Sequence, residues 1–368
     1  MKVTNASRLR IALIPPLWAR VAPSTMGGVE FIVHLLADEL VKRGHDVTIF
    51  TSSDSTTGAR VVPLTECNLI EAMERGRAWE YEYYETCNIA EALQTSGSFD
   101  VVHFHVGCYA IPLGALSRSP VLHTLHNPIT PDAIWLLERY VEAPVTAVSH
   151  SQIAGIPDQR RSRIQVIHNG CDFGAQAFSP APGKYLAFLG RMGPGKSPHD
   201  AIRIAKQSGL PLVLAGQPLD QEEHAYFAEK IQPLIDGRTV IHIGAVDQRQ
   251  KNTFLRDAAA LLFPIQAEEA FGMVMIEAMA CGTPVIALRR SSVEEVVDVG
   301  KTGFYANSVE ELSRLVGRAL ALDRNLVCEH ARQRFSHVRM VDAYLDSYQR
   351  LVHGELNGSA ALISRSVP

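Results

Sequence analysis

The sequence predicts an α/β protein of two similar halves, each a parallel, doubly wound sheet, with a ligand cleft expected between them. Three observations carry this reading. Short apolar runs alternate with helical periodicity along most of the chain, and that alternation implies parallel strands joined by crossover helices. The runs are almost continuously apolar, the pattern of strands buried on both faces. One Pro-, Gly- and Ala-rich stretch, Phe173 to Lys184 (FGAQAFSPAPGK), breaks the pattern and separates the halves.

Ile11 to Ile14 reads as the first strand. A Pro- and Gly-rich loop follows and ends in Gly27-Gly28. A helix from about Val29 to Arg43 carries Phe31, Leu35, Leu36 and Leu40 on one face, and Gly44 stops it before a strand at Asp46 to Phe50. This is one βαβ unit whose glycines let backbone approach a ligand closely. The spacing is not GxGxxG, so a dinucleotide site is not indicated. Residues 63 to 98 lack strand signals. Within them Ala78 to Leu93 (AWEYEYYETCNIAEAL) is helical in pattern and reads as a helix packed by its aromatics with its acids in water, or as one wall of a pocket. Strands follow at Phe99 to Phe104, Pro120 to Leu125 and Val145 to Val148, the last leading into a helix capped by Ser149. A further strand, Ile164 to Ile167, runs into His168-Asn169-Gly170.

After the linker the pattern restarts with a strand at Tyr185 to Leu189, a loop at Gly190 to Ser197 and a helix from Pro198. A strand at Pro211 to Ala215, a helix near Asp220 to Leu234, a strand at Val240 to Ile243 and a helix ending at Asp257 come next. The apolar run Ala260 to Phe263 is a buried strand closed by Pro264. Gly272 then opens a run of helix formers, Met273 to Ala280, and Gly282 and Pro284 stop it before a strand at Val285. A last helix spans about Met340 to Val352, and Gly354 to Pro368 reads as a frayed tail.

Composition narrows the class. The 368 residues are 46% hydrophobic and 20% charged, enough for two globular cores. With 35 basic and 39 acidic side chains the formal charge is −4, which points away from nucleic acid. The basic run Arg160, Arg161, Arg163 reads as a solvated loop rather than a binding patch. Six cysteines, Cys67, Cys87, Cys108, Cys171, Cys281 and Cys328, show no CxxC spacing, so neither zinc nor a redox pair is signalled, and buried free thiols suit a reducing compartment. The apolar run before Pro15 is too short for a signal peptide, and no stretch approaches the roughly 18 apolar residues of a membrane span. A cytoplasmic location is expected. Peripheral membrane contact and a homodimer stay open.

Two stretches carry chemistry. In Ala260 to Leu288 (ALLFPIQAEEAFGMVMIEAMACGTPVIAL), Glu269 lies beyond the carboxyl end of a strand and Glu277 a little over one turn into the next helix. Between them a helix amino terminus offers N–H groups suited to phosphate. Carboxylates for sugar hydroxyls beside donors for a diphosphate suggest a nucleotide-sugar site. In Gly190-Arg191-Met192-Gly193-Pro194-Gly195-Lys196, two cations flank small or rigid residues, so that both side chains can turn toward one anion.

GRMGPGK, Asn169-Gly170-Cys171-Asp172, EEAFGMVMIEAMACGTPV, Gly27-Gly28 and His123-Thr124-Leu125-His126-Asn127 occur in an order that resembles family 4 glycosyltransferases, over roughly residues 8 to 353. The resemblance implies the GT-B fold: two Rossmann-like domains facing a central cleft, an acceptor domain over 1–174, a donor domain over 184–338, a helix at 339–353 returning to the first domain, and the tail 354–368. It implies transfer of a hexose from a nucleotide diphosphate sugar, UDP-linked, with retention of configuration. The acceptor is a small molecule, a glycan or a lipid-linked hydroxyl. Glu277 would hold the ribose and Glu269 the transferred sugar. Backbone amides of Phe271, Gly272, Met273 and Val274 would hold sugar and phosphate oxygens. Arg191 and Lys196 would take the charge growing on the diphosphate, His126 would sit near the sugar, and Gly27 and Gly28 would approach the phosphates or acceptor. The loop around Gly244 and Ala245 would read the base through its backbone. The chain has no DxD motif, so no metal and no cofactor are expected. Lys196-Ser197 stands where the family has Lys-Gly, and Glu268 beside Glu269 leaves open which acid meets the sugar, although the spacing to Glu277 favours Glu269. His103 and His105 line the acceptor side or serve as structural histidines. An epimerase of the same fold and a silent nucleotide-sugar-binding subunit are the alternative readings.

Overall fold

The computed structural model describes residues 8–25 and 27–356. The chain divides into two compact units. The first comprises the chain up to Val148, Ile153–His168 and the chain from His337; the second comprises Ser149–Gln152 and Asn169–Ser336. The passage between units therefore falls after His168, and residues 173–184 fold with the second unit.

In the first unit β1 (Arg10–Ile14), β2 (Asp46–Ser52), β3 (Arg60–Thr65), β4 (Val101–Phe104), β5 (Val121–Leu125), β6 (Val145–Ala147) and β7 (Gln165–Val166) form one parallel sheet in the order β3-β2-β1-β4-β5-β6-β7. Chain order reverses between β1 and β4, the point where open α/β sheets hold ligands beyond their carboxyl ends. Ala12, Ile14, Phe50, Val102 and Phe104 pack under Ile89 and Ala92 of helix Tyr81–Gln94. The closing helix, His337–Val352, buries Tyr344 and Tyr348 completely. Tyr348 pairs its hydroxyl with His103 Nδ1 at 2.7 Å, and Asp342 accepts from Arg43, the C-cap of helix Gly28–Lys42, at 2.6 Å.

Three local expectations change. β3 reaches into the span that lacks strand signals; it is an edge strand, where Pro63 costs no ladder bond. No helix follows Ser149: its Oγ does accept the Gln152 N–H at 3.0 Å, but the chain turns, and the next regular helix is the single turn Asp158–Arg161 beyond Gly155 and Pro157. The aromatic helix is inverted. Trp79 is 76% exposed just before its start, and Tyr83 faces solvent, whereas Glu85 is 2% exposed.

The second unit has β8 (Tyr185–Leu189), β9 (Leu212–Ala215), β10 (Val240–His242), β11 (Ala258–Phe263), β12 (Val285–Leu288) and β13 (Gly303–Ala306), parallel in the order β10-β9-β8-β11-β12-β13. Every residue of β11 is buried, as its unbroken AAALLF requires. Here the reversal lies between β8 and β11. The helix expected near 220–234 begins at Gln221–Tyr226, widens to a π turn at Phe227–Ile231 and tightens to a 3-10 turn at Gln232–Leu234, where Pro233 has no N–H to continue the ladder. Helix Met273–Ala280 ends in a Schellman motif, Thr283 N–H to Ala278 O and Gly282 N–H to Met279 O, both at 2.9 Å. Buried Arg324 donates to the carbonyls of Ser179, Arg256, Ala258 and Cys281 and to Thr283 Oγ1. All six cysteines are free, with Cys67, Cys171, Cys281 and Cys328 buried and Cys87 exposed. Among the described residues no helix is long and apolar enough to cross a membrane. The tail beyond Leu356 lies outside the described residues.

Candidate functional site

The carboxyl ends of β8, β9 and β10 are tied through backbone, and His242 Nε2 adds a side-chain contact to Gly216 O at 2.8 Å. Gly190 N–H meets Ala215 O at 3.1 Å, and Gly216 N–H meets Gly244 O at 2.7 Å. Gly216 has φ +124°, and a Cβ there would lie 1.9 Å from Gly190 O, so no other residue fits without moving the strands apart. Gly244 and Ala245 thus stand at the rim of a flat shelf, Gly244 with its carbonyl committed and Ala245 exposed.

Beyond β8 the loop turns through Gly195, whose carbonyl accepts both Gln266 N–H (2.9 Å) and Ala267 N–H (3.0 Å). This fastens the loop after β8 to the loop after β11 at the point of strand reversal. Lys196 Nζ donates to Glu269 Oε2 across that junction. Arg191 goes elsewhere. Its Nε reaches Glu223 Oε1 at 2.8 Å and its Nη2 reaches Asp220 Oδ2 at 3.3 Å. Hydrogen bonding to Glu223 raises its pKa. The expectation that both cations turn to one point is therefore not what the protein adopts: each holds a different carboxylate.

Ser291 Oγ sorts the two adjacent acids. It donates to Glu268 Oε2 at 3.0 Å and accepts Glu269 N–H at 3.1 Å, leaving the Glu269 carboxylate to Lys196. Ser291 and Ser197 are the positive-φ residues other than glycine among the described residues, at +49° and +55°, and they flank this pair from two sides. Such conformations cost of order 1–2 kcal/mol each and collect where position matters more than stability. Ser197 occupies the place at which the resemblance expected glycine, and its Oγ donates to Pro194 O at 2.9 Å.

The segment that leads into helix Met273–Ala280 is held by its carbonyls: Ala270 O accepts Ser149 Oγ at 2.6 Å and Phe271 O accepts Ser292 Oγ at 2.7 Å. Gly272 is the N-cap in the left-handed conformation. Met273 and Val274, half-buried, begin the helix with N–H groups that have no carbonyl of their own turn to bond. Glu277 is buried one turn on and its Oε1 accepts Lys251 Nζ at 2.6 Å. Lys251 was not legible in the sequence. It is one polar residue among many in QRQKNTFLRD, and only the packing of helix Gln248–Asp257 brings it to Glu277.

In the first unit Gly27 is the N-cap of helix Gly28–Lys42, and a Cβ there would meet Glu30 Oε2 at 2.2 Å; Gly28 has open space. Glu30 Oε1 accepts Ala19 N–H at 3.1 Å. Glu85, also missed in the sequence, accepts Leu17 N–H at 2.8 Å and the Tyr109 hydroxyl at 3.4 Å. Burial, with the charge of Glu30 added, pushes its carboxyl up to about 7. Trp18 and Tyr81 pair beside it with ring centroids 4.8 Å apart. His126 Nε2 contacts His105 Nδ1 at 3.0 Å, and burial holds His126 down to about 4. His103 is an interior residue bonded through both ring nitrogens, to Tyr348 and to Thr124 Oγ1 at 2.7 Å each.

Two family models match the chain: "Glycosyltransferase Family 4" over residues 26–174 and "Glycosyl transferases group 1" over residues 175–336. A D-inositol 3-phosphate glycosyltransferase of Mycolicibacterium smegmatis is 28% identical, with 88% of this chain and 86% of the relative aligned. The enzyme of that name from Mycobacterium leprae is also 28% identical, over 89% of each chain. Among solved structures, AviGT4, a glycosyltransferase involved in avilamycin A biosynthesis, is similar with a TM-score of 0.69 at 26% identity, covering 94% of this chain and 98% of its own. HepE of Anabaena, solved with UDP and glucose, has a TM-score of 0.70 at 20% identity, covering 93% of this chain and all of its own. A sucrose-phosphate synthase from Thermosynechococcus elongatus reaches 0.73 at 18%, covering 94% of this chain and all of its own. The likeness to the last two is one of fold.

Proposed function

The chain belongs to glycosyltransferase family 4, and from that membership we propose that it moves a hexose from a UDP-hexose to an acceptor hydroxyl, with retention of configuration and without a metal ion. The observation that carries the reading is the Lys196–Glu269 contact at the strand reversal, beside the amino end of helix Met273–Ala280. An ammonium has three donors, so Lys196 keeps Glu269 in place and still meets a phosphate oxygen. Glu269 then accepts from hydroxyls of the sugar. The N–H groups of Met273 and Val274, at the positive end of the helix dipole, complete an anion site. Glu277 spends one oxygen on Lys251 and turns the other to the ribose diol. Arg191 must leave Glu223 to join the diphosphate; otherwise it only shapes the loop. That HepE crystals hold UDP with glucose in one case and UDP-glucose in another supports the donor class.

In the reaction the acceptor oxygen attacks the anomeric carbon on the face that the diphosphate leaves. The bond to the phosphate oxygen breaks, and that oxygen takes the acceptor proton. Charge grows on the diphosphate, where Lys196 is worth most. The test is mass spectrometry of an acceptor library incubated with UDP-glucose, with chelator present, followed by NMR of the anomeric configuration. Transfer with retention is expected. Glu277→Ala should weaken UDP binding and Lys196→Ala should cut turnover. Wild-type transfer by both variants would overturn the site.

A further inference from the structure

We propose that the first unit carries a second ligand site: a pocket for a phosphate-type oxyanion, built on Arg160, Arg163 and Arg350. A cavity of about 400 Å³ opens there, lined also by Ser162, Gln165 and Thr146. It lies at the amino-terminal ends of β5, β6 and β7. His126 follows β5 at the opposite end, about 13 Å away for four residues of strand, so the cavity is not the transfer site.

The sequence marks Arg160 as part of a solvated loop, and the structure contradicts this: Arg160 is 2% exposed. Its Nε donates to Leu137 O at 3.1 Å and its Nη2 to Ala143 O at 2.9 Å, while buried Nη1 has no hydrogen-bond partner. Two neutral carbonyls fix the guanidinium, yet among the described residues no carboxylate reaches ion-pair distance. Burial of a cation in that state is costly. Burial first, then the like charge of Arg163, lowers its pKa to about 10. Of the two acids at the cavity, Glu142 is engaged by Arg163 Nη1 at 2.5 Å, and Glu355 stands at the rim with half-buried Arg350. An oxyanion seated among the three guanidinium groups would supply both the missing acceptor and the missing charge. Forked guanidinium donors match the tetrahedral oxygens of phosphate better than a lysine would. The volume is at the small end of ligand sites and suits free phosphate or a short phosphate ester.

Isothermal titration of the full chain with inorganic phosphate, and separately with glycerol 3-phosphate, tests the site. Binding of one equivalent is expected, weakened at least about tenfold by Arg350→Ala and by Arg163→Ala, and unchanged by Lys196→Ala, which alters the proposed donor site. Neither Arg163 nor Arg350 anchors the buried carbonyls, so these variants fold even if Arg160→Lys does not. Tighter binding of the ester identifies a phosphorylated metabolite as the ligand, and equal binding identifies free phosphate. No binding at millimolar concentrations, binding indifferent to Arg350→Ala and Arg163→Ala, or binding lost in Lys196→Ala would each overturn the proposal.

Discussion

Lys196 and Glu269 are each other's partners, the ammonium of one on the carboxylate of the other, although they come from loops after different strands. The two should act as a unit. Lys196→Ala is expected to lower kcat by about 10²–10³, the usual loss of one donor to developing charge. Glu269→Ala should also slow transfer, and the double variant should lose less than the sum of the two in free energy. Steady-state kinetics with UDP-glucose on all four proteins check this; strict additivity would show that the contact has no part in transfer.

Lys251 should prove as important to nucleotide binding as the acid it serves. Lys251→Met leaves the Glu277 carboxylate buried without its cation, a change that costs about 3–5 kcal/mol where such pairs are fully enclosed. Denaturant unfolding should show most of that loss, and UDP titration a Kd raised about tenfold or more. Lys251→Arg should recover much of both. A Lys251→Met protein with wild-type stability and UDP affinity would remove Lys251 from the site.

Glu85 gives the first unit a pH dependence of known sign. Its carboxyl rises from 4.5 to about 7 on folding, so the folded state favours the protonated form. That contribution is complete below the unfolded value and is lost as pH rises through the folded one. Glu85→Gln should therefore match wild type near pH 5 and exceed it in Tm above pH 7. Parallel melting curves across that range would refute the assignment.

The histidines work in the other direction. His126 falls from 6.5 to about 4 and His123 to about 3, both through burial, and His103 and His105 are also held well below 6.5. Neutral imidazoles stabilise the fold fully above the unfolded value, and this is lost as pH falls from 6.5 toward the folded values. Unfolding free energy should drop across pH 6 to 4 with a slope greater than one proton's worth. NMR of the His126 ring should show no titration near pH 6.5; a midpoint there would sink the claim.

Strand–helix alternation and the apolar runs were enough to place β1, β2, β4, β5 and the whole of the second sheet's centre, because parallel strands buried on both faces leave an unambiguous record. Edge β3 escaped, since Arg60–Thr65 is half-exposed and carries a proline. The helix at Tyr81–Gln94 was found, but its faces were inverted: aromatic residues ordinarily mark the core, and here the first unit buries Glu85 and Asn88 instead. Lys196, Glu269 and Glu277 stand out in the sequence through their motifs, GRMGPGK and EEAFGMVMIEAMACGTPV, and the family resemblance those motifs carry. Lys251, Glu30 and Arg160 do not, because each acquires its role from a partner distant in sequence or from burial that its own residue type argues against. Ser197 was visible as a departure, and only the backbone angle shows what the departure costs.

Ser149–Gln152 belongs to the second unit although the chain on both sides of it belongs to the first. Its Ser149 hydroxyl holds Ala270, and Glu295 takes the backbone N–H groups of His150 and Ser151 at 2.8 and 2.6 Å. Neither unit is thus a single uninterrupted stretch of chain. A chimera that joins this amino-terminal half to a relative's carboxyl-terminal half at the 173–184 stretch would import a foreign tetrapeptide clamp along with the first half. Recombination between relatives should succeed only when Ser149–Gln152 and the segment it grips are inherited together.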